Sequence, residues 1–398
     1  MEQTGASPQA KVSSYPATAL IHAGFVLTGM VTTLLGPILP ALSARWSLGD
    51  LQAGYLFTSQ FVGSMLGVAL SSTLIPRRGF RFSLVLGFGL MSGGIGALGL
   101  ATWVIGLISV FCYGVGLGVT IPATNLVVSE ANPCRRAAAL NILNLAWGIG
   151  AVAYPSVTAL LRRTNNPRAL LFGLAAALGL MSVCLSWGSF ANLGNRPRSA
   201  EQPSPPRVGV WRDRFVPILG LLFFLYVGTE NAVAGWVASY AQRLSTSPGT
   251  VWVLTPSFFW GALLLGRALA PVILRLVAEA TLVLMGLLLA ALGVTILLAA
   301  KTLAGVVVGV GLAGLGLASV FPITVALLSG NLGALASRAA GPMFALGGLG
   351  GATLPWLVGF SSTHFGSLRA GLVVPLLSSL AMVALHLLNL RSPGQRAS

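Results

Sequence analysis

Charge is what this chain has least of. Only 8% of its 398 residues are Asp, Glu, Lys or Arg, and just seven are acids. A water-soluble surface is roughly a quarter to a third charged, so this set cannot clothe a soluble globule, and the solvent must be largely lipid. Cysteine is equally sparse. Cys112, Cys134 and Cys184 are odd in number, follow no metal-ligand spacing and offer no disulfide framework, which makes them packing residues and implies no metal. No hydrolytic triad and no phosphate-binding loop is recognisable, so neither an enzyme, a cofactor nor an ATP-driven pump is expected. Gly309, Gly311 and Gly314 fit a dinucleotide-binding pattern, but they lie inside an apolar run, where helix packing accounts for them. The first 16 residues are polar and the first apolar run is long enough to span, so no cleavable signal peptide is expected.

What is abundant is apolar length: 55% of the residues are hydrophobic and 50 are glycine. Runs of about 20 residues, enough to cross a hydrocarbon core of ~30 Å, occur at 17–42, 51–75, 82–103, 106–130, 137–161, 169–191, 216–241, 251–275, 279–300, 303–329, 338–360 and 367–390. The expectation is an all-α membrane protein of twelve transmembrane helices. With both termini on one side, that side collects fifteen basic residues and the other seven, which places the termini in the cytoplasm by the positive-inside rule. The net charge of +16 is scattered over short loops rather than gathered into a stripe, so it reads as topology signal and headgroup attraction, with no nucleic-acid partner.

The chain is also written twice. Gly114, Gly116, Pro122, Thr124 and Ser129 recur 200 residues later as Gly314, Gly316, Pro322, Thr324 and Ser329, and Gly148, Gly150 and Pro155 recur as Gly348, Gly350 and Pro355. An offset of 199 maps Gly29, Gly36 and Gly67 onto Gly228, Gly235 and Gly266. This predicts two pseudo-symmetric six-helix bundles, 1–191 and 216–398, joined by a proline-rich linker at 192–215 that holds Pro197, Pro203, Pro205 and Pro206. Halves so related rock against each other around a site at their interface, exposing it alternately to the two membrane faces.

These features resemble the major facilitator superfamily over essentially the whole chain. The loop Pro76-Arg77-Arg78-Gly79-Phe80-Arg81 is similar to that family's signature between the second and third helices, with Pro76 where an aspartate is usual. The resemblance implies that Arg77 and Arg81 brace a cytoplasmic gate, rearranged around Glu130. Within the superfamily, YVGTENAVAGW at 226–236, FFWGALLLGR at 258–267 and GVGLGVTIPATN at 114–125 resemble the fucose, galactose and glucose proton-symporter branch, particularly its bacterial glucose and mannose permeases. That branch carries carboxylates in its first and fourth helices, whereas Leu34 to Pro40 and Thr120 to Asn125 here have none.

The residues themselves single out Glu230, fourteen positions past Val216 or ~21 Å along a helix. A carboxylate at that depth costs about 2.5–3.5 kcal/mol by insertion scales, so it is a candidate for proton coupling or, alternatively, for a structural ion pair. Tyr226, Glu230, Val233, Val237 and Tyr240 follow helical steps and predict one stripe holding a carboxylate between two phenols; Asn231 and Trp236 would extend it. Arg267, eight residues from Arg275, would either reach Glu230 across a vertical gap of ~9 Å or brace the gate. Gln60, Asn125, Asn141, Asn144, Trp147 and Trp260 are polar or indole groups within spans, suited to hydroxyls and to the CH face of a sugar ring, or to hydrogen bonds between helices.

The expected function is secondary active transport by alternating access, with a monosaccharide imported together with a proton by a monomer in a bacterial inner membrane. A rival reading is a proton-driven exporter of drugs or other amphipathic solutes. Drug exporters usually carry a Gly-Pro motif in the fifth helix, but here that helix reads NLAWGIGAVAYP at 144–155. A membrane sensor that has lost transport is a third reading, and it would need a soluble domain that the sequence does not display.

Overall fold

The computed structural model describes residues 15–162, 167–187, 215–245, 251–325 and 336–390, all helix and short turns. The helices are α1 (Tyr15–Thr32), α2 (Leu35–Trp46), α3 (Asp50–Leu100), α4 (Trp103–Ala131), α5 (Arg136–Arg162), α6 (Pro167–Trp187), α7 (Phe215–Leu244), α8 (Thr255–Ile273), α9 (Glu279–Ala299), α10 (Leu303–Leu317), α11 (Ala336–His364), α12 (Leu368–Gly371) and α13 (Val373–Leu390). The linker expected at 192–215 lies outside the described residues except for Phe215.

Twelve crossings emerge once two elements are read physically. Helix α3 has 51 residues, ~75 Å at ~1.5 Å each, which is more than twice the hydrocarbon thickness. It divides at Gly79, whose φ of 82° and ψ of 171° reverse the chain; a left-handed φ there is open to glycine and strained for other residues. The expected loop at 76–81 therefore shrinks to a single non-helical residue. Conversely, α1 and α2 are one span bent by 45°.

Proline chemistry explains that bend and two others. Pro37 cannot donate to the carbonyl of Thr33, and its ring crowds that carbonyl; the helix breaks at Thr33 and Leu34. The freed turn is held by the Thr33 hydroxyl, which donates to Gly29 O at 3.1 Å. Pro322 stands four residues after Ala318, where α10 ends before helix resumes at Val320, and Pro375 stands four after Gly371, where α12 ends. The span expected at 303–329 and that at 367–390 are each interrupted for the same reason.

The sequence repeat is realised as repeated contacts. Gly114 lies against the backbone of Gln60, and Gly314 against that of Phe259, 199 residues further on. Gly94 meets Tyr113 as Gly293 meets Ala313, and Gly116 meets Gly87 as Gly316 meets Gly286. Across the seam between the halves, a Cβ built on Gly148 would stand 2.7 Å from Leu264 Cδ1, and one built on Gly348 would stand 2.7 Å from Met65 Cγ. Leu264 and Met65 are again 199 apart. Glycine is required here because helix backbones come within van der Waals distance of a neighbouring element, as is common in lipid.

The two ends of the molecule differ. At the end holding Trp46 and Asp50, α2 packs on α7, the start of α3 on α11, and α5 on α8. Glycine approaches across the seam, including Gly36 to Ala234, Gly54 to Trp356 and Gly359 to Asp50, all lie between that end and mid-helix. That end is sealed.

Candidate functional site

A small pocket sits on the seam between the two halves. It is lined by Thr32, Gly36, Phe57 and Gln60 from the first half and by Asn231, Gly235 and Trp260 from the second, with a volume of ≈ 20 Å³. Thr32 and Asn231 are repeat equivalents, as are Gly36 and Gly235, so each half presents a corresponding wall. The volume suits about one water molecule; the pocket is the contracted apex of the seam.

Its polar groups are fixed by their neighbours. Gln60 on α3 donates from Nε2 to Thr32 O at 3.2 Å and accepts at Oε1 from the Tyr113 hydroxyl at 2.9 Å. The Trp147 indole on α5 donates to Thr32 Oγ1 at 3.3 Å and meets Trp260 edge to face at 5.5 Å, joining the two halves through a pair of indoles. Asn231 is half-buried, with its amide donating to Val227 O at 2.8 Å. Of the expected solute contacts, the structure thus brings together Gln60, Trp147, Asn231 and Trp260.

Others go elsewhere. Asn125 is half-buried on α4 and donates to Ile121 O at 2.8 Å. Asn141 and Asn144 are exposed on α5. Trp236, expected beside Glu230, is only 1% exposed; its indole donates to Pro355 O at 2.8 Å and packs on Phe57 at 5.9 Å. Six residues beyond Glu230 is one and two-thirds turns, which points Trp236 into the seam rather than to the pocket.

One residue along α7 from Asn231 begins the one cluster of charge inside the spans among the described residues. Glu230 is buried, 9% exposed, one helical turn from Tyr226 on α7. Arg267 on α8 donates from Nη2 to the Tyr226 hydroxyl at 3.3 Å, and the same phenol interacts electrostatically with both Glu230 and Arg267. Glu230 and Arg267 form no salt bridge, yet they attract each other directly, and the Tyr226 hydroxyl interacts with both. Arg267 Nε is buried with no hydrogen-bond partner among the described residues, an unspent donor. The expected second phenol does not join: Tyr240 hydrogen-bonds to Ala300 O at 3.4 Å, near the sealed end. Val233 and Val237 are fully buried, so the stripe faces the interior of its own half, while Asn231, Ala234 and Gly235 turn to the seam.

The charges that seal the molecule were not singled out from sequence. Arg243, at the end of α7, forks onto Asp50, at the start of α3, with Nη1 to Oδ2 at 2.9 Å and Nη2 to Oδ1 at 2.5 Å. Ser362 of α11 donates to the same Asp50 Oδ2. This is the one ion pair among the described residues, and it ties the two halves together. The available signal was placement: Asp50 is the only described acid at that end of the bundle. At the opposite end, Arg77, Arg78 and Glu130 are exposed and Arg81 is half-buried, with no ion pair among them; Arg78 lies over the Phe82 ring.

Two bundles of membrane-spanning helices with a small polar pocket on the seam between them are the architecture of a membrane carrier. Residues 21–329 match the Major Facilitator Superfamily, and the chain belongs to that family of secondary transporters. It is 26% identical to an uncharacterized MFS-type transporter of Yersinia pestis over 306 residues, covering 75% of this chain and 77% of that one. It is 21% identical to the glucose/mannose transporter GlcP of Bacillus subtilis over 357 residues, covering 85% and 86%. Its fold matches the crystal structure of a bacterial homolog to the human lysosomal transporter Spinster, in an inward-facing and occupied conformation, with a TM-score of 0.78, 15% identity and coverage of 95% and 98%.

Proposed function

We propose that the protein imports a hexose together with a proton. The observation that carries this reading is the grouping of Gln60, Asn231 and Trp260 around one pocket, with Trp147 against Thr32 and Trp260 and the buried carboxylate Glu230 next to Asn231 in the chain. Amides offer directional partners to hydroxyls and an indole face suits the CH face of a pyranose. Similarity to a glucose/mannose transporter over most of both chains supports the same solute class. Asn125, Asn141 and Asn144 would line the path to the pocket as the halves part.

In this reading the bundles are 1–191 and 216–398, the linker at 192–215 and both termini are cytoplasmic, and the sealed end faces outward. Asp50, Arg243 and Ser362 then form the outer gate. Arg77, Arg81 and Glu130 stand at the inner end, where they pair only when that end closes. Glu230 takes up the proton, and Tyr226 communicates its charge to Arg267; a solute group that meets the unpartnered Arg267 Nε would feel the same change. The pocket must widen to hold a hexose, so solute binds as the seam opens.

The test is a hexose panel in proteoliposomes with an imposed pH gradient, acidic outside. Accumulation of at least one hexose above its equilibrium level, collapsed by a protonophore, is expected. Equilibration of hexoses without accumulation would remove the proton, and inertness to all hexoses would remove the solute class.

A further inference from the structure

A second cavity lies within the first half and runs along α2 from Pro37, the neighbour of Gly36 in the transport pocket, to Arg45 at the sealed end. It is a cleft of ≈ 270 Å³ between α2, α5 and α6, more than ten times the volume of the seam pocket and near the lower bound of ~300 Å³ for small-molecule sites. Its floor is apolar, with Leu42, Leu161 and Leu170 among the lining side chains, and two arginines, Arg45 and Arg168, complete the lining. Both are exposed and close enough to repel each other. No acid lines the cleft. The one described acid at this end, Asp50, is already held by Arg243 and Ser362.

The arginines are only partly spent. Arg45 uses Nη1 to cap the end of α3, donating to Gly99 O at 2.9 Å and Leu98 O at 3.4 Å. A guanidinium has five N–H donors in a planar fork matched to phosphate, so the rest of Arg45 is available, and Arg168 adds a second cation. The depth in the membrane is marked by aromatic residues: Trp46, next to Arg45, meets Trp103 at 5.9 Å and donates to Ala101 O at 3.0 Å. Indoles gather at the level of lipid headgroups. Two cations at headgroup depth, above an apolar cleft, form the complement of a molecule with an anionic head and an aliphatic tail.

The geometry points to the cleft between α2, α5 and α6 as a binding site for an anionic phospholipid of the surrounding leaflet, with its phosphate held by Arg45 and Arg168 and an acyl chain against Leu42, Leu161 and Leu170. A phospholipid is favoured over a soluble anion because a free phosphate would use the arginines and leave the apolar floor uncovered. Occupancy would tie α2, the bent half of the first span, to α6 and so stiffen the first half on the side where α2 meets α7.

The experiment uses the full chain, purified in neutral detergent and incubated with phosphatidylglycerol, phosphatidylcholine, oleate or inorganic phosphate. Retained lipid is counted by native mass spectrometry and thermal stability is followed in parallel. Selective retention of phosphatidylglycerol is expected, with Arg168→Gln lowering it about fivefold and the bulky Ala41→Trp, on the cleft wall, lowering it without any change of charge. Arg45→Lys keeps the charge and tests the fork: a loss of retention with folding intact is expected. Equal retention of phosphatidylcholine, unchanged retention in both Arg168→Gln and Ala41→Trp, or stabilisation by inorganic phosphate or oleate equal to that by phosphatidylglycerol would each overturn the proposal.

Discussion

The two halves repeat each other's backbone contacts but not their chemistry. Where the second half places Tyr226, Glu230 and Arg267, the equivalent positions 199 residues earlier hold Leu27, Val31 and Val68. Val31 is completely buried, as a core residue should be. The glycine approaches that let helices touch are kept in pairs, whereas the charged relay occurs once. Packing is therefore what the repeat preserves, because both halves must move as rigid bodies. A buried carboxylate costs several kcal/mol in lipid, so one half carries it and the other supplies an apolar counterpart together with Gln60 and Trp147.

The largest effect that can break this comparison comes from Glu230→Gln, which keeps size and hydrogen bonding but cannot release a proton. Uptake driven by a pH gradient should fall to the equilibrium level, while exchange of labelled for unlabelled solute persists, since exchange requires no net proton transfer. A purely structural acid predicts a different result: exchange and accumulation are lost together, expression drops, and neutralising Arg267 restores both. Full proton-driven accumulation by the variant at normal expression would show that the asymmetry between the halves is not the coupling device.

A smaller effect should follow from Tyr226→Phe, which removes the hydroxyl that Arg267 contacts at 3.3 Å. A hydrogen bond to a charged group contributes about 1.5–3 kcal/mol, so the initial rate of uptake driven by a pH gradient should drop roughly tenfold or more, with solute exchange retained. If Phe at 226 leaves that rate unchanged, Glu230 acts without help from the phenol.

A third, gentler test probes what the halves share. Gly148→Ala and Gly348→Ala each place a methyl 2.7 Å from a flexible side chain, Leu264 or Met65. Mild overpacking of this kind costs about 1 kcal/mol. Both variants should shift the conformational equilibrium away from the seam-closed state to the same extent, read by spin-label distances across it. Unequal shifts would mean that the repeat is one of sequence but not of mechanics.

Much of this was legible before any coordinates. Twelve apolar runs gave the spans because length and hydropathy alone decide whether a helix crosses lipid, and the repeat at 199 and 200 residues named glycine pairs that do touch equivalent neighbours. The breaks were not read, although three of them fall four residues before a proline; other prolines, such as Pro122 and Pro155, sit inside unbroken helices, so the residue alone does not decide. The burial of Glu230 followed from its position in the run. Its partner did not, because the phenol that reaches Arg267 is fixed by how α7 and α8 face each other. Trp236 lies apart from Glu230 because six residues carry it one and two-thirds turns around α7, where its indole meets Pro355 O.

The Asp50–Arg243 pair offers the mildest test and concerns the other place where the halves differ. The repeat counterpart of Arg243, 199 residues earlier, is Ala44, so the fastening at the sealed end is not duplicated: the acid belongs to one half and the base to the other. Arg243 is 49% exposed and Asp50 15%, and ion pairs this accessible contribute about 0.2–1 kcal/mol. Asp50→Asn keeps a hydrogen-bonding group for Ser362 but removes the charge, so the population open at the Trp46 end should rise by a factor of up to about five. Spin-label distances across that end would report the change. The native protein in 1 M salt should move the same way, because an exposed pair is screened, whereas the variant should be insensitive to salt. If both stay sealed, the end is held by the apolar seam of Gly36, Ala234 and Trp356 rather than by charge, and the charged difference between the halves would then rest on Glu230 and Arg267.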